Sequence, residues 1–225
     1  MFTKRQLQIM SGAGLLVVLV VVGVVIRERL AQREARRLPP VATDLTPDHR
    51  RELEEQAAKA AAAIAQNPSD FNAHVELALA KADLGDRDAA AETYRTMNQR
   101  FPGNYLSFQN LGQLYEDAGK YDLAAEQYLL AINNAPRIAH LYRKIVNLYT
   151  YQLKNRASDL PRILQKGLGV MPGSIDLMAM LAVYYRDHGQ PEEAIKWFEH
   201  LLVFDPKNTA ALDEVKALQA KLRSK

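Results

Sequence analysis

No cysteine occurs among the 225 residues. That excludes disulfides, thiolate zinc sites, thiol nucleophiles and a lipid-modified N-terminal cysteine. A strong charge of one sign is lacking too. The formal net charge is +3, and its excess sits at the front: residues 1–46 hold seven Lys and Arg against three Asp and Glu, while residues 47–225 hold 22 against 23. A neutral body of this kind is not that of a nucleic-acid-binding domain. Catalytic constellations are missing as well. His49, His74, His140, His188 and His200 include no pair three or four apart, so no metal site has local support. Gly167-Leu168-Gly169 does not continue into a phosphate-cradling loop, and no G-x-S-x-G elbow is present. The carboxylate pairs Glu54-Glu55, Glu116-Asp117 and Glu192-Glu193 are adjacent, so on a helix they diverge by about 100° and cannot converge on one substrate. The sequence points to no enzyme, cofactor, metal or small-molecule substrate.

What is present begins with an uncharged stretch. After a short tail (1–8), residues 9–26 are dominated by valine, leucine and isoleucine, with Lys4 and Arg5 before and Arg27 and Arg29 after. As a helix it would cover about 27 Å, close to the ~30 Å bilayer core. A cleaved signal peptide would have a shorter apolar core followed by small residues, and the buried helix of a soluble core is rarely so continuously apolar. The expectation is an uncleaved single-pass transmembrane helix over 9–26, with the lipid bilayer as its partner. Lys and Arg counts on the two sides place the C-terminal side in the cytoplasm by the positive-inside rule. Residues 27–46 read as a basic linker in which Pro39 and Pro40 stop any helix. Thr46-Pro47-Asp48 then reads as a helix start, with a hydroxyl cap and proline in the first turn.

The body is periodic. Pro68, Pro102 and Pro136 lie 34 residues apart, Pro172 follows after 36, and Pro206 after another 34. Gly85, Gly119 and Gly189 each precede a proline by 17 residues, and Tyr94, Tyr128 and Phe198 each by eight. Glycine in the middle and proline at the end divide each period into two helices. Small residues recur in phase: Ala78, Gly112 and Ala182 on first helices, Ala90, Ala124 and Ala194 on second ones. They let paired backbones approach, and the aromatic four residues after the second alanine fills the gap.

This pattern resembles the tetratricopeptide repeat (TPR) family. The resemblance implies an all-α, right-handed superhelical solenoid of four repeats over 71–208, namely 71–104, 105–138, 139–174 and 175–208. Residues 47–70 would form a degenerate leading helix and 209–225 a capping helix, whose Leu212, Val215, Leu218 and Leu222 give an amphipathic stripe. Repeat 139–174 departs from the pattern. Asn155 stands in place of the turn glycine, where asparagine is the next-best residue for a left-handed conformation. Leu160 and Gly167 replace the alanines, and two residues are inserted.

In the family, the second, fifth, sixth and ninth positions of first helices line a concave groove. Carried over, these are Leu106, Gln109, Asn110 and Gln113, then His140, Arg143, Lys144 and Asn147. Net charge is −1, −2, +5 and −3 along the four repeats, so one basic layer lies between acidic ones. Some TPR domains grip the C-terminal carboxylate of a chaperone with basic and Asn residues. Arg143, Asn147, Asn110 and Lys144 match part of that set, whereas Val75, Leu79 and Met180 depart from it. The implied partner is a protein or peptide, with an acidic or carboxylate-bearing segment held at Gln109, Asn110, Gln113, His140, Arg143, Lys144 and Asn147. The competing reading is that these charges only pair with acidic neighbours. With the anchor, the resemblance implies a membrane-anchored scaffold or adaptor for assembly, chaperoning or recruitment. The alternative is an accessory structural subunit of a membrane enzyme or envelope-biogenesis complex, such as cytochrome maturation or cell-wall transferase machinery. Bacterial relatives of this design favour an extracytoplasmic repeat domain at the inner membrane.

Overall fold

A computed structural model describes residues 4–224, with side chains described at Val17 and from Val20 onward. The chain divides into two compact units, one ending at Pro39 and the other beginning at Pro40. The first unit is a single helix, α1 (Lys4–Arg36). It runs on through residues 27–36, the first half of the expected linker, because Arg, Glu, Leu, Ala and Gln favour helix and nothing breaks it before Pro39-Pro40.

The expected membrane anchor over 9–26, and with it the single-pass localisation and the bilayer as partner, is corrected. Among the described residues no helix is long and apolar enough to cross a membrane. Side chains 9–16, 18 and 19 of the expected span lie outside the described residues. Within α1 the uncharged stretch ends at the charged Arg27-Glu28-Arg29.

The second unit is a stack of helices: α2 (Pro47–Gln66), α3 (Phe71–Asp83), α4 (Arg87–Arg100), α5 (Tyr105–Asp117), α6 (Tyr121–Asn134), α7 (Ala139–Tyr151), α8 (Leu160–Val170), α9 (Ile175–Asp187), α10 (Pro191–Phe204) and α11 (Thr209–Arg223). Among the described residues there is no strand. Each helix packs on its neighbours in sequence, which is the contact pattern of a solenoid. Polar caps set the starts. The side chains of Thr46, Asp70, Asp86, Asn104, Ser174 and Asn208 each accept a hydrogen bond from a backbone N–H two or three residues on. Gly85, Gly119 and Gly189 have φ of 85°, 70° and 70°, so the turns between paired helices use the left-handed conformation that glycine permits.

Repeat 139–174 makes its turn differently. A 3-10 helix, Lys154–Asp159, connects α7 to α8. Asn155 lies within it, and among the described residues no non-glycine has a positive φ, so the left-handed role expected of Asn155 is corrected. The two inserted residues lengthen the connection enough for a helical turn to replace the tight one. The small-residue register holds in altered form. A Cβ on Gly112 would lie 2.7 Å from the Tyr128 ring, and one on Gly167 would lie 2.7 Å from Tyr142 and 2.8 Å from Leu177. Tyr94, Tyr115, Tyr128, Tyr142 and Tyr149 are all fully buried and fill the layers between helices.

Candidate functional site: the groove across α5, α7 and α9

The first helices of the last three pairs carry a ladder of cross-helix contacts. His140 Nε2 and Gln109 Oε1 lie 2.7 Å apart, and Lys144 Nζ donates to Gln113 Oε1, both linking α7 to α5. Lys144 also lies 3.8 Å from Glu116 Oε2. On the next step Arg143 donates to Asp176 Oδ1 of α9 at 3.3 Å. A rule emerges: the fifth position of one first helix meets the second of the next, and the ninth meets the sixth. Gln109–His140, Gln113–Lys144 and Arg143–Asp176 obey it with polar partners. The fourth combination under this rule would be Asn147 with Met180, an amide and a thioether that is only a weak acceptor, and both residues line the same cleft.

Behind the ladder, the Tyr128 hydroxyl donates to Glu116 Oε2 at 2.5 Å. Burial, and then this bond to a carboxylate, push the Tyr128 phenol well above its ordinary range. Gln113 is fixed from its other end, its Nε2 donating to Asp117 Oδ1 at 2.7 Å. The residues expected to hold an acidic segment are thus separated. Gln109, Gln113, His140 and Lys144 satisfy one another between α5 and α7. Asn110 donates instead to the Tyr94 hydroxyl of α4, at 3.3 Å. Arg143 and Asn147 turn the other way, toward α9.

There the groove opens into a cleft of about 390 Å3 between α7 and α9. Arg143 and Asn147 line it together with Asp176, Ala179, Met180 and Val183. These last four are the second, fifth, sixth and ninth positions of repeat 175–208. Met180 and Val183 are readable from the sequence as apolar groove positions, and the groove rule applied one repeat further adds Asp176 and Ala179. Tyr184 and His188 close one end, their rings stacked with centroids 4.0 Å apart, and Tyr184 is raised above the usual tyrosine range by burial. His188 Nδ1 donates to the Tyr184 carbonyl at 2.7 Å, which fixes the ring in the stack. Tyr151, 69% exposed, stands at the rim. That aromatic rim carries no family signal and was not legible beforehand. The cleft contains Asp176 and Asp187 as well as Arg143, so it is not the uniformly basic surface that the repeat's net charge suggested. Among the described residues no group of three or more His, Asp or Glu is placed to hold a metal ion.

Sequence profiles described as "Tetratricopeptide repeat" match residues 55–105 and 76–139, and a second profile of the same description matches 175–208. Together they span more than half of the chain. No functionally curated protein matches the sequence. Solved structures do. The crystal structure of MamA superposes with a TM-score of 0.53 at 17% identity, covering 76% of this chain and 99% of that one. YrrB, described as a TPR protein with an unusual peptide-binding site, gives 0.52 at 14% identity, covering 74% and 85%. A tetratricopeptide repeat protein from Parabacteroides merdae gives 0.51 at 19% identity, covering 74% and 65%. At these identities the likeness is one of fold.

Proposed function

The chain belongs to the tetratricopeptide repeat family, and on that premise we propose that it is a non-enzymatic interaction scaffold that holds an extended segment of a partner protein in the cleft between α7 and α9. The observation that carries this reading is the break in the groove ladder at Asn147 and Met180. Where polar residues pair across the groove, the surface is satisfied by itself. At Asn147, an exposed residue, the amide makes no side-chain hydrogen bond among the described residues and has both a donor and an acceptor to offer. It lies beside an apolar floor of Val146, Met180 and Val183. An extended peptide presents alternating C=O and N–H groups and a side chain every second residue toward one face. Asn147 can take one peptide unit through both atoms while the adjacent side chain covers Met180 and Val183. The stacked rings of Tyr184 and His188 supply a flat apolar wall at the end of the cleft.

Arg143 and Lys144 are each engaged with a carboxylate of the chain, Asp176 and Glu116. Asp176 and Asp187 also line the cleft, so the segment that suits it is apolar at its centre rather than acidic. The experiment is selection from a displayed random-peptide library on the immobilised full chain, followed by titration of an enriched peptide against the parent, Asn147→Ala and Met180→Asp. Affinity should fall about tenfold in each variant, the worth of one or two hydrogen bonds or of an apolar side chain set against a charge. Failure to enrich any peptide, or equal affinity across the three proteins, would refute the reading.

A further inference from the structure

The net +5 of repeat 139–174 comes from six cations and one carboxylate, and only Arg143 and Lys144 belong to the groove. Three of the others gather on the opposite side of α7. Arg156 of the 3-10 turn and Arg162 and Lys166 of α8 line a crevice of about 240 Å3 against α6, three cations against the single carboxylate of Asp159. Its walls include Tyr142 and Tyr149, whereas the groove is lined by Arg143, Val146 and Asn147, so the two cavities flank α7. We propose that this crevice binds an acidic segment of a partner protein, carboxylates on the three cations and an apolar side chain on the floor formed by Leu129, Ile132 and Ile163. The chain then holds polypeptide on both sides of α7.

Four observations converge. Arg162 and Lys166 stand four apart on one helix, a like-charge spacing that is unfavourable unless an anion joins it. Their present partners are weak: Arg162 lies 3.5 Å from Asp159 with its side chain 78% exposed, and Lys166 donates at 3.4 Å to the neutral amide oxygen of Asn133. Exposed pairs at such distances contribute little and exchange readily for a better anion. Arg156 is held in place by the ring of Tyr149, 5.2 Å from its guanidinium carbon, so its planar donors are oriented before any ligand arrives. Its carboxylate partner, Asp122 at 3.5 Å, is 80% exposed and free to swing into water. Finally, this crevice exists because the repeat is irregular. The 3-10 turn that replaces the glycine turn carries Arg156 to the crevice wall.

A synthetic pentapeptide Glu-Asp-Leu-Glu-Asp, blocked at both ends and labelled for fluorescence anisotropy, is the probe, with Gln-Asn-Leu-Gln-Asn as its uncharged twin. Both are titrated against the full chain, against Arg162→Gln with Lys166→Gln, and against Arg143→Gln on the groove side. The altered side chains are exposed at the surface, and helical circular dichroism checks the fold. The acidic peptide is expected to bind the parent and Arg143→Gln equally and the crevice variant about tenfold more weakly, and the uncharged twin is expected to bind the parent about tenfold more weakly than the acidic peptide does. Three outcomes overturn the proposal: no binding of the acidic peptide to the parent, equal binding of the two peptides, or a loss in Arg143→Gln that matches the crevice variant. The last would place the acidic segment in the groove.

Discussion

Repeats 105–138 and 139–174 solve one packing problem with opposite hands. In the first, Gly112 on the leading helix lies under the ring of Tyr128 on the trailing helix. In the second, the aromatic is Tyr142 on the leading helix and the glycine is Gly167 on the trailing one, with Leu177 of α9 closing on it as well. A helix pair needs one site without a side chain where a ring crosses the interface, and it matters less which helix provides it. What does change is the connection. The regular repeat turns on Gly119 at φ 70°, while the irregular one turns through a 3-10 helix. The first arrangement leaves a self-satisfied groove. The second brings Arg156 beside Arg162 and Lys166 along one crevice, while Asn147 and Met180 line the cleft on its groove side. Departure from the repeat pattern coincides with both candidate binding surfaces.

The comparison is broken most directly by filling the two small sites. Gly167→Leu should cost about 3 kcal/mol, because the new side chain meets two buried neighbours. Gly112→Leu should cost about 2 kcal/mol, since it meets one ring, although hydrogen bonding of the Tyr128 hydroxyl to Glu116 hinders that ring from moving aside. Urea titration of each protein measures both. A Gly167 variant as stable as the parent would show that the trailing glycine does not take over the small site.

The turns offer a second, smaller contrast. A Cβ at Gly85 would sit 2.2 Å from the carbonyl oxygen of Val41, whose N–H donates to the Gly85 carbonyl at 3.0 Å. At Gly119 the same atom meets open space. Gly119→Ala should therefore lose only the conformational cost of a left-handed alanine, about 1 kcal/mol. Gly85→Ala should lose about 1 kcal/mol more, as the segment after Pro40 is pushed off the α3–α4 turn. Equal midpoints in urea would mean that this segment contributes nothing to the second unit.

Much of this architecture was legible from the spacing of Pro68, Pro102 and Pro136 and the in-phase glycines, because each marks a place where only one residue type suits the backbone. Gly112 was readable as a contact for a different reason, because it shares its register with the small Ala78 and Ala182. The ladder was half legible. Groove positions could be assigned, but pairing by position, fifth with second and ninth with sixth, depends on the offset between successive helices, which no single repeat encodes. Charge counted per repeat misled in a specific way. It joined Arg143 to Arg156 and Lys166, although they line two different cavities that flank α7. The 3-10 turn escaped because asparagine suits a left-handed turn as well as many others, and the insertion alone decided the matter.

Alkaline pH separates the two repeats by their tyrosines. Tyr128 is raised by burial and by its bond to Glu116. Tyr149 is raised by burial while Arg156 beside it pulls the other way. A phenol that holds its proton more tightly when folded stabilises the fold fully below its unfolded value near 10.0, and that contribution is lost as pH rises above it. Stability in urea should thus decline above pH 10. Tyr128→Phe should remove more of that decline than Tyr149→Phe. The opposite order would assign the stronger electrostatic restraint to the irregular repeat.

The smallest effect tests the connection itself. If Asn155 substituted for a turn glycine, Asn155→Gly would relieve a left-handed side chain and stabilise the protein. In the structure Asn155 is one residue of a 3-10 helix and its φ is not positive. Glycine there gains no conformation that asparagine lacks, and it gives the unfolded chain more freedom to lose on folding. Asn155→Gly should therefore destabilise by about 0.5 kcal/mol, opposite in sign to what a glycine-type turn would show. The side chain is exposed, so few packing terms obscure the result. Placing the same substitution beside Gly119→Ala gives a pair of changes that swap a glycine in or out of equivalent turns. Both should lower the urea midpoint, because each repeat is matched to its own turn. A rise in the midpoint of Asn155→Gly would return the irregular repeat to the regular pattern and remove the reason Arg156 reaches the crevice.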